Sequence, residues 1–241
     1  LTAPQIAIAI AMATVGALLQ GSIGFGLAVV AAPILLLLNE AFVPGPTLFA
    51  AMLLVVLMAL RERRSVIVGD IGLAVFGRFV GMLPAVYAIS ILPKPVYELV
   101  FAVLVLLMVL LSATGQHLPP NRINVFIAGI LSGFVGTISS VGGPVMALVY
   151  QNESGPSIRA TLGAIFTLGS LVSLIGLWWV GRFGAIELAL GLLLLPGVLI
   201  GFALSRYTKG YIDRAGTRPV VLLVAALSAV AVMLRALSAH F

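Results

Sequence analysis

Two glycine-rich runs are the places where this chain could do chemistry. Gln20-Gly21-Ser22-Ile23-Gly24-Phe25-Gly26 and Gly136-Thr137-Ile138-Ser139-Ser140-Val141-Gly142-Gly143-Pro144 each interrupt a long apolar stretch. Glycine adopts backbone conformations closed to other residues and lets a ligand come close to the main chain. Helices that begin just after such a run aim unpaired N–H groups and the positive ends of their dipoles at the gap, an arrangement suited to an anion. Neutral donors stand in the same two runs. Gln20, Ser22, Thr137, Ser139 and Ser140, together with Gly24, Gly26, Gly142 and Gly143, are therefore candidate substrate-binding residues. The competing reading is that glycine and serine serve close helix packing, as the spacings Gly77-x-x-x-Gly81, Gly129-x-x-x-Gly133 and Gly197-x-x-x-Gly201 do.

Arg78 is the second candidate. It is the one ionisable residue near the middle of an apolar segment, and burying it in a bilayer costs about 2.5–3.5 kcal/mol on insertion scales. No acidic residue sits at comparable depth: Asp70, Glu98 and Glu187 fall near segment ends, and Glu40, Glu62, Glu153 and Asp213 in or beside loops. An interior cation without a carboxylate partner suits an anionic substrate. The alternative is a structural arginine that snorkels or bonds carbonyls freed by Pro84. Arg159, at the start of its segment, reads as one of the basic residues that flank the membrane.

The elements that hold these residues follow from composition. Of 241 residues, 62% are hydrophobic and 8% charged, against roughly 25% charged in a soluble domain. The apolar residues fall in continuous runs rather than the short alternation of a membrane β-barrel. Eight stretches result: residues 5–38, 46–60, 66–92, 95–113, 123–151, 157–180, 184–205 and 219–238. The expected fold is all-α and polytopic. The first and fifth stretches are too long for one span of about 20 residues, and each contains a glycine break, so each reads as a helical hairpin.

The halves repeat one another. Gly45-Pro46 recurs as Gly155-Pro156, Pro33 as Pro144, Gly77, Gly81 and Tyr87 as Gly197, Gly201 and Tyr207, and Pro95-Val96 as Pro219-Val220. The order predicts a duplication, residues 1–116 and 117–241, each with one hairpin and three helices. Charge decides its sense. With the hairpins returning to their starting side, Arg61, Arg63, Arg64, Arg122, Arg159, Arg206, Lys209, Arg214 and Arg218 share one face and Lys94, Arg182 and Arg235 the other. Straight crossings would divide the same charges evenly. The asymmetry fits the positive-inside rule and makes the repeats inverted, the pattern of secondary transporters with a site at the repeat interface.

Other functions lack their residues. There is no cysteine, His117 lies in a loop and His240 at the tail, and neither H-E-x-x-H nor G-x-S-x-G occurs. No enzyme activity, metal or cofactor is expected. The net charge of +6 includes no dense basic run for nucleic acid. The expected partners are a small anion and the lipid bilayer, with the oligomeric state open and a homodimer among the possibilities.

Gln20-Gly21-Ser22-Ile23-Gly24-Phe25-Gly26 with Pro33, then Gly136, Val141-Gly142-Gly143-Pro144 and Arg159-Ala160-Thr161, resemble the two half-signatures of the TauE/SafE group of sulfite and organosulfonate permeases. The resemblance runs over nearly the whole chain. It implies a transporter of sulfite, sulfoacetate or related sulfonates in a bacterial inner membrane. Ser139-Ser140 stands where that group commonly has a glycine. The sequence reading is thus a secondary transporter for a small sulfur oxyanion. Its rivals are an anion channel of the same fold and a non-transporting membrane scaffold or receptor subunit.

Overall fold

Helix lengths follow from where glycine, serine and proline allow the main chain to stop. In the computed structural model, which describes residues 1–214 and 218–238, ten α-helices and two short 3-10 turns are found, and no strand among the described residues. The helices are α1 (Ala3–Ile23), α2 (Leu27–Leu38), α3 (Gly45–Arg61), α4 (Ile71–Ile91), α5 (Lys94–Thr114), α6 (Arg122–Ser139), α7 (Gly143–Tyr150), α8 (Gly155–Trp179), α9 (Ala185–Arg214) and α10 (Arg218–Ser238). Among the described residues, seven helices are long and apolar enough to cross a membrane, α3 being counted with the 3-10 turn before it. Large apolar side chains such as Leu110, Leu171, Ile175 and Trp178 stay exposed on the outside, as lipid contact requires. The polytopic all-α expectation holds.

Side chains are described for residues 1–208 and 222–238. Lys209, Arg214 and Arg218, which enter the charge count above, and His240 therefore lie outside the described side chains.

Both long stretches are interrupted, and the interruptions are shorter than the glycine-rich runs. α1 continues helically through Gln20–Ile23 and stops at Gly24, whose φ of 112° reverses the chain while its N–H reaches Gln20 O at 2.8 Å. α6 likewise continues through Gly136–Ser139 and stops at Ser140, φ 63°, whose N–H reaches Gly136 O at 2.9 Å. Three residues remain outside helix in each case, Gly24-Phe25-Gly26 and Ser140-Val141-Gly142. The following arms are short. α2 has 12 residues and α7 has 8, about 18 and 12 Å at 1.5 Å per residue, too short to cross a bilayer.

The breaks align at an offset of 116, which changes one of the repeat matches. Pro33 lies inside α2, seven residues into the helix, whereas Pro144 opens α7. These two prolines do not occupy matching places. The Gly45-Pro46 and Gly155-Pro156 pairs each open a helix, α3 and α8.

Small residues bring the main helix pairs together. Gly77 and Gly81 of α4 lie against Phe126 O and Ile130 O of α6, and Gly197 and Gly201 of α9 against Ile10 O and Thr14 O of α1. A Cβ at Gly77 would come 2.5 Å from Phe126 O, so only glycine permits the approach. The contacts advance together along both members of each pair, so α1 runs parallel to α9 and α4 parallel to α6. The packing role read from these glycine spacings is the one observed.

Hydrogen bonds and ion pairs then show which loops share an end of the bundle. At one end, Arg61 donates to Gly21 O and Ser205 Oγ, Arg159 pairs with Glu62, and Ile67 N–H donates to Thr161. At the other, Lys94 pairs with Glu40, Arg182 donates to Ile89 O, and Arg235 pairs with Glu98 while capping Leu36 O and Leu37 O. Residues 39–45 sit at this second end.

Candidate functional site

The two breaks meet in the middle of the bundle. α2 and α7 start there and run toward opposite ends, α2 to Arg235 and α7 to the segment where Leu118 N–H donates to Leu148 O. Their first turns face a cavity of about 40 Å³. One water needs about 10–15 Å³ of such space, so the cavity holds about three waters or one anion of a few heavy atoms. The first N–H groups of a helix have no partners within it, so two positive helix ends converge on this space.

Six of the ten candidate residues line it: Arg78, Gln20, Gly26, Ser140, Gly142 and Gly143. The other four are close by and otherwise engaged. Ser22 Oγ donates to Leu18 O and meets Thr208. Thr137 bonds to Ser173, and Ser139 donates to Val135 O while accepting from Val141 N–H. Gly24 packs against Ile158 and Arg159.

Arg78 is 2% exposed. Its Nη1 donates to Ser132 Oγ at 2.5 Å and approaches Ser132 O at 3.4 Å, and the Ser132 hydroxyl donates onward to Gly142 O at 2.8 Å. The guanidinium carbon lies 5.0 Å from the centre of the Phe166 ring, a cation–π contact. Nε is buried without a hydrogen-bond partner among the described residues. The arginine thus neither snorkels nor leans on the backbone near Pro84. α8 makes room for it: a Cβ on Gly169 would collide with Arg78 Nε.

Gln20 and Ser140 serve the backbone of the breaks as well as the cavity wall. Gln20 Oε1 accepts from Leu27 N–H at 2.9 Å, capping α2 across the first break. Ser140 Oγ donates to Pro44 O at 3.0 Å, tying the second break to the start of α3. Gly142 has an ordinary φ of −82°. What it requires is space, since a Cβ there would lie 2.6 Å from Ser132 O and 3.1 Å from Arg78 Nη1.

Several residues of the site were not singled out from the sequence. Ser132, Phe166, Gly169 and Ser170 belong to unbroken helix with no charge at their level, where only the 3.6-residue period marks them. Arg159, which reads from the sequence as a basic residue flanking the membrane, lies at the Arg61 end and is 6% exposed. Its Nε lies 2.9 and 3.1 Å from the two Glu62 carboxylate oxygens, and its Nη1 donates to Ser22 O at 3.1 Å. Arg159 is thus a buried ion-pair member at that end, beside the first break. Among the described residues no cluster of His, Asp and Glu could hold a metal.

Set against known proteins, residues 8–232 match the family model described as Sulfite exporter TauE/SafE. No curated protein and no solved structure matches the chain.

Proposed function

This chain belongs to the sulfite exporter TauE/SafE family, a family of membrane transporters of sulfur anions, and from that premise we propose a secondary transporter for a compact sulfur oxyanion bound at Arg78. The single observation that carries the proposal is the Arg78 guanidinium at the wall of a cavity between two broken helices, with Nε lacking a partner among the described residues. A guanidinium presents a planar fork of donors that fits two oxygens of a sulfite or sulfonate. The volume favours the smaller end of the class. Sulfite has four heavy atoms and matches the roughly 40 Å³ cavity, whereas sulfoacetate requires the walls to part.

The same proposal makes the halves inverted repeats with the site between them. Supporting it, the contacts of Gly77 with Phe126 O and of Gly81 with Ile130 O recur as Gly197 with Ile10 O and Gly201 with Thr14 O. The pairs are related by the same two offsets throughout, 120 for the glycines and 116 for their partners. Arg78 breaks the symmetry, because the position related to it by the offset of 120 is Val198. A single cation serves a site that two half-repeats enclose. We place the end bearing Arg61–Arg64 in the cytoplasm of a bacterial inner membrane, following the positive-inside rule.

A thermal-shift screen of the purified protein against sulfite, sulfate, sulfoacetate, taurine and common carboxylates tests the substrate class, since a ligand that binds the native state raises apparent stability. Sulfite is expected to give the largest shift. A shift with carboxylates alone would overturn the assignment.

A further inference from the structure

The central cavity and a second, larger cavity toward the Arg61 end share a wall of Phe25, Gly26 and Val29, of which Phe25 brings the one aromatic ring. The second cavity has a volume of about 180 Å³ and is walled mainly by apolar side chains, Ile23, Ala147, Leu148 and Ile158 among them. Phe25 is the only residue of the first break that carries a side chain. Its neighbours Gly24 and Gly26 have φ of 112° and 140°, in the region that favours glycine, so the backbone on both sides of the ring is free of Cβ restraint. The ring rests on the other break, for a Cβ added to Gly143 would lie 2.7 Å from Phe25 Cβ.

The size of the two spaces decides where such a ring can go. An apolar cavity of about 150 Å³ accommodates benzene. The 180 Å³ apolar cavity can therefore receive the ring, and the 40 Å³ central cavity cannot. The α1 side of the break is held in place from α8. A Cβ on Gly24 would touch Ile158 at 3.3 Å and Arg159 at 3.5 Å. Arg159 is fixed by Glu62, and Arg159 and Arg61 together cap Ser22 O and Gly21 O, two carbonyls released because α1 ends here.

We propose that Phe25 is a gate between the central anion cavity and the apolar cavity, mounted on the Gly24 and Gly26 pair, and that the Glu62–Arg159 ion pair is its latch. The proposal rests on the transport reading of the central cavity. With the ring on Gly143 the central cavity is shut from the Arg61 end. Swinging the ring into the apolar cavity joins the two spaces and opens a path past Ile158.

Because the chain has no cysteine, the gate can be read directly in the full-length protein reconstituted in liposomes. Ala51→Cys reports on the central cavity, and Ala41→Cys on the separate cavity at the opposite end. A membrane-impermeant methanethiosulfonate is applied from the Arg61 side without any transported anion. Phe25→Ala is expected to raise labelling of Ala51→Cys at least tenfold, Phe25→Leu to raise it less, and Glu62→Gln to raise it with the ring intact, all with Ala41→Cys unchanged. Unaltered Ala51→Cys labelling in Phe25→Ala and Phe25→Leu proteins that melt like the parent overturns the gate. Parallel rises at both cysteines also overturn it, since they report a loosened fold. No effect of Glu62→Gln removes the latch. Labelling needs no substrate, so a working gate in a protein that binds no anion would sink the transport reading and leave the gate standing.

Discussion

Arg78 and Ser132 are joined across the α4–α6 contact, and Ser132 passes the connection on to the second break through its hydrogen bond to Gly142 O. One buried hydroxyl therefore positions the candidate anion-binding cation relative to the broken helix. Ser132→Ala leaves Arg78 Nη1 only its longer contact with Ser132 O and removes the donor to Gly142 O, a loss of about 1–3 kcal/mol in stability. A lower melting temperature together with weaker anion binding is the expected result, read by thermal melting and by anion titration. An unchanged affinity would show that the link has no part in binding.

Gly169→Ala separates stability from function. Alanine is better than glycine inside a helix by about 1 kcal/mol, so α8 itself gains from the change. Its Cβ nevertheless falls on Arg78 Nε and must displace the guanidinium. The expected outcome is a folded protein with anion affinity reduced at least tenfold. A variant that binds normally would mean that Arg78 reaches its ligand from another rotamer.

Ser140 combines an unfavourable left-handed conformation with a useful hydrogen bond to Pro44 O. Ser140→Ala keeps the strain and loses the bond, which should cost about 0.5–1.5 kcal/mol. Ser140→Gly loses the bond but relieves a strain of about 1–3 kcal/mol, so it should match or exceed the parent. Melting temperatures in the order Gly above Ala check this, and the reverse order would show that the left-handed φ is not strained.

The hairpin topology predicts sidedness. Asn39→Cys is expected to label from the face opposite to Ser65→Cys and Asn152→Cys, in a chain with no cysteine of its own. Labelling of Asn39→Cys and Asn152→Cys from one face would rule out two hairpins that each return to their starting side.

The breaks were legible because glycine and serine stand out in apolar runs, and the packing glycines because their four-residue spacing marks one helix face. Their extent was not. Gln20–Ile23 and Gly136–Ser139 are polar and small yet stay helical, since only Gly24 and Ser140 take the left-handed conformation that ends the helix. Arg159 could not be paired from sequence, because its carboxylate partner Glu62 lies 97 residues away. Phe166, Gly169 and Ser170 escaped notice for a related reason, as α8 carries neither a break nor a charge at their level.

The central claim is that Arg78 holds the anion, and the measurement that tests it most directly is anion affinity, with folded yield as control, in Arg78→Lys and Arg78→Gln. Lysine keeps the charge and loses the planar fork, so affinity should fall in part. Glutamine removes a charged hydrogen bond worth about 1.5–3 kcal/mol, a loss of roughly ten- to a hundredfold or more. The account predicts that graded loss in protein that still folds. Parent-like affinity in well-folded Arg78→Gln would contradict it.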